Sequence, residues 1–92
     1  MKAINPATGE LIRDYAEHSA QKIHEIIEQN ASVFKSWRNV TFAERSRLMY
    51  EAAKVLRKDK DQFARLMSLE MGKILSESTA EVEKSAWVCD YY

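Results

Sequence analysis

Glycine and proline are almost absent from this sequence, and their scarcity limits the folds that the chain can adopt. Only two glycines and one proline occur among 92 residues. Architectures made of many short strands need these residues at their tight turns, so an all-β fold is not expected. Apolar residues instead recur at the spacing of one helix face over most of the chain. The sequence therefore predicts a mainly α fold.

The single proline and the first glycine lie close together near the start of the chain. The segment Pro6-Ala7-Thr8-Gly9 separates two short stretches, residues 3–5 and 11–15, that suit β-strands. Proline presets its φ angle for a turn, and glycine adopts positive φ without steric cost. We therefore expect a β-hairpin over residues 1–17. Because a lone two-stranded ribbon is barely stable in water, this hairpin should lean on a larger body.

About four helices are predicted over residues 19–92, and the first two have clear start signals. Ser19 is a candidate N-cap for a first helix that ends near Asn39. The second helix begins at Thr41-Phe42-Ala43-Glu44, a capping box. In this motif the Thr41 hydroxyl accepts from the Glu44 backbone N–H, and the Glu44 side chain reaches back to the Thr41 N–H.

For the other two helices, the sequence gives a stop signal at the end of the third and a start signal for the fourth. The third helix should open at Asp59 or Asp61 and end at Gly72, where a left-handed glycine closes helices. The fourth should begin around residues 76–78, because Ser78-Thr79-Ala80-Glu81 offers another capping box. The apolar side chains expected to face inward are Ile23, Ile27, Phe34, Trp37, Leu48, Met49, Ala52, Val55, Leu56, Phe63, Leu66, Met67, Val82, Ala86 and Cys89.

No stop signal follows the fourth helix, which runs into Tyr91-Tyr92 without glycine, proline or a basic last turn. The predicted helices also have apolar faces for which this sequence offers no evident packing partner. The pattern predicts that residues 1–92 are a single segment of a larger body.

The residues carry no recognisable active site. His18 and His24 are six positions apart, which is not the spacing of paired metal ligands on a helix. Cys89 has apolar neighbours and no basic residue in its turn, so we expect a structural rather than a nucleophilic thiol. No phosphate-binding glycine loop is present. We predict no catalytic, cofactor-binding or metal-ligating residue in this segment.

The charge and composition of the chain limit the kinds of partner and the cellular compartment that we expect. Lys plus Arg and Asp plus Glu both number 14, and each basic stretch also contains acids, so nucleic-acid binding is not expected. No signal peptide or membrane-spanning stretch is visible. One cysteine suits a reducing compartment, and a cytoplasmic location is expected.

Several strings in this order resemble the aldehyde dehydrogenase superfamily over nearly the whole chain. The hairpin string is Ile4-Asn5-Pro6-Ala7-Thr8-Gly9-Glu10; it is followed by Trp37, Glu44-Arg45, Phe63-Ala64-Arg65-Leu66-Met67-Ser68-Leu69-Glu70-Met71-Gly72-Lys73, Glu81-Val82, Trp87 and Tyr91-Tyr92. Within that family, Glu70-Met71-Gly72-Lys73 and Tyr91-Tyr92 look most like the succinate-semialdehyde dehydrogenase branch.

The resemblance implies a parent enzyme with a larger α/β fold that oxidises an aldehyde to a carboxylic acid with NAD or NADP. In the family, a downstream cysteine and glutamate perform catalysis, and Cys89 does not match that cysteine motif. The resemblance also implies that residues 1–92 are the N-terminal segment of a larger cofactor-binding domain and that their role is structural. In the family, the last helix of this segment runs beside the substrate entrance, which would bring residues 83–92 near it. The isolated chain should be inactive and should self-associate, with the rest of the dehydrogenase as its partner. The alternative is a free-standing helical module that docks a protein partner through its apolar faces.

Overall fold

The computed structural model describes all 92 residues as one hairpin followed by four helices. In chain order the elements are β1 (Lys2–Ile4), β2 (Leu11–Asp14), α1 (Ala20–Trp37), α2 (Phe42–Lys58), α3 (Lys60–Met71) and α4 (Leu75–Tyr91). The predicted mainly α fold with an N-terminal hairpin is confirmed.

The hairpin forms at the predicted turn. The strands are antiparallel, and the turn is closed by bonds from the Asn5 N–H to the Glu10 carbonyl at 2.9 Å and from the Gly9 N–H to the Asn5 carbonyl at 2.8 Å. Gly9 takes a φ of 74°, the left-handed value for which glycine is suited. The register slips within the pairing, leaving Ile12 as an extra residue on β2. Such a bulge increases the local twist of the ribbon.

The first two helices begin at the predicted caps. The Ser19 hydroxyl accepts from the Lys22 N–H at 3.1 Å, and the Thr41 hydroxyl accepts from the Glu44 N–H at 3.2 Å. The second half of the capping box is not formed. The Glu44 carboxylate instead binds the Arg47 guanidinium through two bonds, of 3.0 and 2.7 Å. A charged donor one turn along the helix competes better for this carboxylate than a neutral N–H does.

The start of α4 differs from the sequence-based expectation. Ile74 takes the extended N-cap conformation and makes no side-chain cap bond, so the helix begins before the predicted start at residues 76–78. Ser78 is fully buried inside the helix, where its hydroxyl accepts from the Ser68 hydroxyl at 2.9 Å. The Glu81 carboxylate meets the Lys73 ammonium. The second predicted capping box is therefore wrong, because tertiary packing uses both of its residues.

The α3 helix begins one residue after Asp59 and ends where predicted. Gly72 has a φ of 69°, and its N–H bonds to the Ser68 carbonyl at 3.0 Å. A Cβ atom at this position would lie only 2.9 Å from the Pro6 Cγ atom, so the hairpin turn touches the end of α3. The hairpin thus leans on the helical layer, as its marginal intrinsic stability requires.

The core is a small-residue seam along α4, which lies against both α2 and α3. The fully or nearly fully buried residues are Ala53, Ala64, Ser78, Val82 and Ala86. Four of these five side chains have one or two heavy atoms, so the three helix backbones approach closely. Cys89, expected to be buried, is only half-buried.

The helices form a single layer. The molecule measures 47 × 36 × 14 Å, and its shortest dimension is little more than the roughly 10–12 Å diameter of one helix. Its radius of gyration is 17.2 Å, against about 12 Å for a compact domain of this length. Domains normally bury their apolar faces between at least two layers. Here the inward stripe predicted on α2 is divided: Met49 and Leu56 are half-buried, while Val55 is 52% exposed.

Candidate functional site

The α1 helix carries an uncovered apolar surface, and none of its residues is buried. Ile23, Ile27, Phe34 and Trp37 follow one face of the helix and are between 42% and 59% exposed. We call these four residues the α1 stripe. A helix face of this kind normally packs against another element. The stripe is therefore an apolar helix face that no other element of this chain covers.

Arg45 links α1 to α2. Its Nη2 atom donates to the Trp37 carbonyl at 3.1 Å and to the Arg38 carbonyl at 3.3 Å, at the end of α1 where carbonyls lack helical partners. The guanidinium carbon also lies 5.5 Å from the Trp37 ring and 5.6 Å from the Phe42 ring. A cation at a helix C-terminus opposes the negative end of the helix dipole. No local sequence signal indicated this contact, because the donor and acceptors belong to different helices.

A charged cluster joins the other three helices. Arg57 on α2 donates to Glu83 at 3.0 Å and to Asp90 at 2.5 Å on α4, and Lys60 on α3 approaches Glu83 at 3.3 Å. The bond to Arg57 is the main reason that the pKa of Glu83 and that of Asp90 lie below their ordinary values. The same contacts, first with Asp90, raise the pKa of Arg57. The groups stay ionised near neutral pH, so the cluster suits structural bracing rather than proton transfer.

The end of α4 presents an aromatic surface. Trp87, Val88, Tyr91 and Tyr92 line a mainly apolar hollow of about 240 Å³, and Trp87 is 66% exposed. The two tyrosine rings meet edge to face with centroids 5.2 Å apart. The Ser46 hydroxyl donates to the Tyr92 carbonyl at 3.3 Å, which fixes this end against α2. Residues 83–92 thus contain the two acidic groups of the charged cluster and the aromatic surface.

A second hollow lies between the hairpin and α3. It has a volume of about 640 Å³, and its apolar walls come from Ile12, Tyr15, Leu66 and Leu69. Gln62 and two guanidinium groups, from Arg13 and Arg65, complete the lining. We call this hollow the hairpin groove. It lies on the face of α3 turned away from α4.

The histidine and cysteine residues considered as possible catalytic or metal-binding groups do not form a common site. His24 pairs only with Glu28 of its own helix, at 3.3 Å, and Cys89 lies at the far end of α4. No group of three or more His, Cys, Asp or Glu side chains is arranged to hold a metal ion. No helix is long and apolar enough to span a membrane.

A dinucleotide cofactor does not fit the residues present. Its phosphates need a glycine turn opening onto a free helix N-terminus. Gly9 lies in the hairpin, and Gly72 follows the end of a helix and contacts Pro6. At the starts of α1 and α2, backbone N–H groups already donate to the hydroxyl groups of Ser19 and Thr41, so they are not free to bind a phosphate. These residues form no phosphate cradle.

Comparison with known proteins gives one consistent result. The aldehyde dehydrogenase family matches residues 1–92. A probable succinate-semialdehyde dehydrogenase (NADP(+)) of Synechocystis sp. is 38% identical over 89 residues, which cover 97% of this chain and 20% of the relative. A D-glyceraldehyde dehydrogenase (NADP(+)) of Picrophilus torridus is 33% identical over 92 residues, covering 100% of this chain and 19% of that protein.

A solved structure agrees in fold as well as in sequence. The succinic semialdehyde dehydrogenase of Streptococcus pyogenes, crystallised in complex with NADP+ as the cofactor, matches with a TM-score of 0.91 and 30% identity. The match covers 99% of this chain and 20% of that protein. The chain therefore spans about a fifth of the length of the proteins that it matches.

Proposed function

Since this chain belongs to the aldehyde dehydrogenase family, we propose that it is the N-terminal structural segment of an NAD(P)-dependent enzyme that oxidises an aldehyde to a carboxylic acid. The observation that carries the proposal is the single helical layer, 14 Å thick, whose uncovered faces need a second layer. The proportion of each relative that the chain matches, about a fifth, supports a role as one part of a larger body.

Succinate semialdehyde is the proposed substrate of the parent enzyme. This rests on the names of the Synechocystis relative and the S. pyogenes enzyme, both succinate-semialdehyde dehydrogenases. The Picrophilus relative, named for D-glyceraldehyde at similar identity, is the main competing indication. NADP is the more strongly supported cofactor because all three of these proteins are named or crystallised with it.

Within the parent enzyme, this segment supplies packing surfaces and no reacting group. It contributes no catalytic, cofactor-binding or metal-ligating residue. The cluster around Arg57 holds α4 in place against α2 and α3, which in turn positions the aromatic surface at its end. We propose a cytoplasmic location for the parent enzyme, because the one cysteine of this segment is a free thiol, as is usual in a reducing compartment.

The activity part of the proposal is tested with the purified chain. It is incubated with succinate semialdehyde and either NAD or NADP, and the formation of reduced nicotinamide is followed by absorbance. No turnover is expected, and nicotinamide cofactors should not bind detectably in calorimetry. Cofactor reduction that purifies with the chain would overturn the assignment of a purely structural role.

We further propose that the isolated chain self-associates through the α1 stripe, since uncovered apolar patches favour association. No nucleic-acid partner is proposed, because the formal charge is +0. Sedimentation velocity should detect dimers or larger species, and Phe34→Glu should reduce them. Lys35→Glu, on the adjacent exposed position, is the matched control and should not. A monomer at all concentrations would refute self-association.

The alternative function is a free-standing helical module that docks another protein through its apolar faces. The exposed α1 stripe is the observation that favours it. The two functions make different predictions for a chimera in which this chain replaces the matching fifth of the S. pyogenes enzyme. A folded chimera with NADP+-dependent aldehyde oxidation supports the segment function, whereas cooperative unfolding of the isolated chain as a compact monomer supports the module.

A further inference from the structure

The hairpin groove is lined by two arginines that have no ion-pair partner. Neither Arg13 nor Arg65 is within ion-pair distance of a carboxylate, whereas Arg47 and Arg57 both are. The guanidinium of Arg13 lies 5.3 Å from the centre of the Tyr15 ring, which leaves its N–H donors free. The groove therefore concentrates unused positive charge in a chain whose formal charge is +0.

The walls of the groove restrict what it can bind. Ile12 on the hairpin and Leu66 and Leu69 on α3 supply apolar surface beside the two guanidinium groups. An inorganic anion would use the guanidinium groups and gain nothing from these side chains. Arginine presents a planar set of donors that matches a carboxylate, and it is favoured where such pairs are partly desolvated. The complementary ligand is thus a carboxylate flanked by apolar groups.

We infer that the hairpin groove is the docking site for a polypeptide segment that presents an Asp or Glu side chain between apolar residues, supplied by the remainder of the same dehydrogenase polypeptide. The carboxylate bonds to Arg65 and Arg13, and its apolar neighbours cover Leu66 and Leu69. The inference rests on the proposed function, because that function provides the covering polypeptide. The matched relatives extend over roughly five times the length of this chain, so a parent enzyme of that length would have ample polypeptide to fill the groove.

The chimera with the S. pyogenes enzyme is the experimental system, because it is a complete enzyme. Its crystal structure should show a carboxylate from outside this segment at about 2.7–2.9 Å from a guanidinium nitrogen of Arg13 or Arg65. Arg13→Gln and Arg65→Gln should each lower the thermal midpoint of the chimera by at least about 1 °C more than the control variant does. Arg47→Gln is the control, because that arginine is exposed, already paired within its own helix and outside the groove.

The outcomes separate this inference from the proposed function. A chimera that fails to fold or to oxidise aldehyde with the unaltered segment would overturn the proposed function. An active chimera would overturn the inference alone if its groove were filled by solvent, by a free anion or by a second copy of this segment. Midpoints for the two groove variants that equal that of Arg47→Gln would have the same consequence.

Discussion

Replacing Ala53 with leucine tests whether the seam between α2 and α4 is tightly packed. Ala53 has no exposed surface, and it belongs to a seam of small residues along which the helices approach closely. Leucine adds three carbon atoms where no space is left, and overpacking of a well-packed interior typically costs about 1–3 kcal/mol. For a chain of this size, each kcal/mol corresponds to a decrease of about 4–8 °C in the thermal midpoint.

The neighbouring alanine supplies the control. Ala52→Leu makes the same chemical change at an exposed position of the same helix, where leucine and alanine have similar helix propensity. Thermal and urea unfolding of the 92-residue chain, followed by far-UV circular dichroism, should show Ala53→Leu less stable by at least about 1 kcal/mol and Ala52→Leu within about 0.5 kcal/mol of the parent. Equal stabilities for the two variants would refute the tight seam and indicate a loosely packed layer.

Three further predictions follow from individual contacts. Thr41→Ala should lower the free energy of unfolding by about 1 kcal/mol in urea titrations, since it removes the N-cap of α2; an unchanged midpoint would contradict the cap. Gly72→Ala and Gly9→Ala should each cost about 1–2 kcal/mol for the left-handed backbone. Gly72→Ala should cost more in thermal unfolding, because only its Cβ would clash with the hairpin turn. Because Arg57 lowers the pKa of Asp90 from its ordinary value of 3.8, this pair stabilises the fold above that value, and its contribution is lost as the pH falls through the lowered pKa. An acid titration should therefore be less steep below pH 3.8 for Arg57→Gln than for the parent chain, and identical curves would contradict the pairing.

Local signals in the sequence were sufficient for most of the secondary structure. The turn at Gly9, the N-caps at Ser19 and Thr41 and the helix end at Gly72 all depend on contacts within a few residues, and all were predicted. Such contacts can be predicted from the sequence, because the residue type itself favours the backbone conformation or supplies the hydrogen bond that a helix end lacks. The resemblance to aldehyde dehydrogenases likewise extended over the whole chain.

The errors arose where distant residues compete for the same group. Ser78 and Glu81 have the spacing of a capping box, but packing against α3 buries the first and an ion pair with Lys73 takes the second. The partners of Arg57 lie 26 and 33 residues further along the chain, so no short sequence window contains them. Arg45 lies only seven and eight residues from its acceptors, but the geometry of the α1–α2 connection decides that contact. Periodicity also predicted one inward face on α2, although in this single layer only the side toward α4 is covered.

Covering the α1 stripe should raise the stability of α1, because no other element of this layer buries its apolar side chains. Burying a large apolar side chain contributes about 1.5–3 kcal/mol, and the stripe contains four that are about half exposed. Because only about half of each side chain remains to be covered, complete burial of the stripe would add about 3–6 kcal/mol, which is a large share of the roughly 5–15 kcal/mol that separates a folded domain from its unfolded chain. Because α1 buries none of its own residues, its packing depends on the layer that covers it, whereas α2, α3 and α4 hold one another through the alanine seam and Arg57. The α1 helix is therefore the element whose stability should respond most strongly to a covering partner.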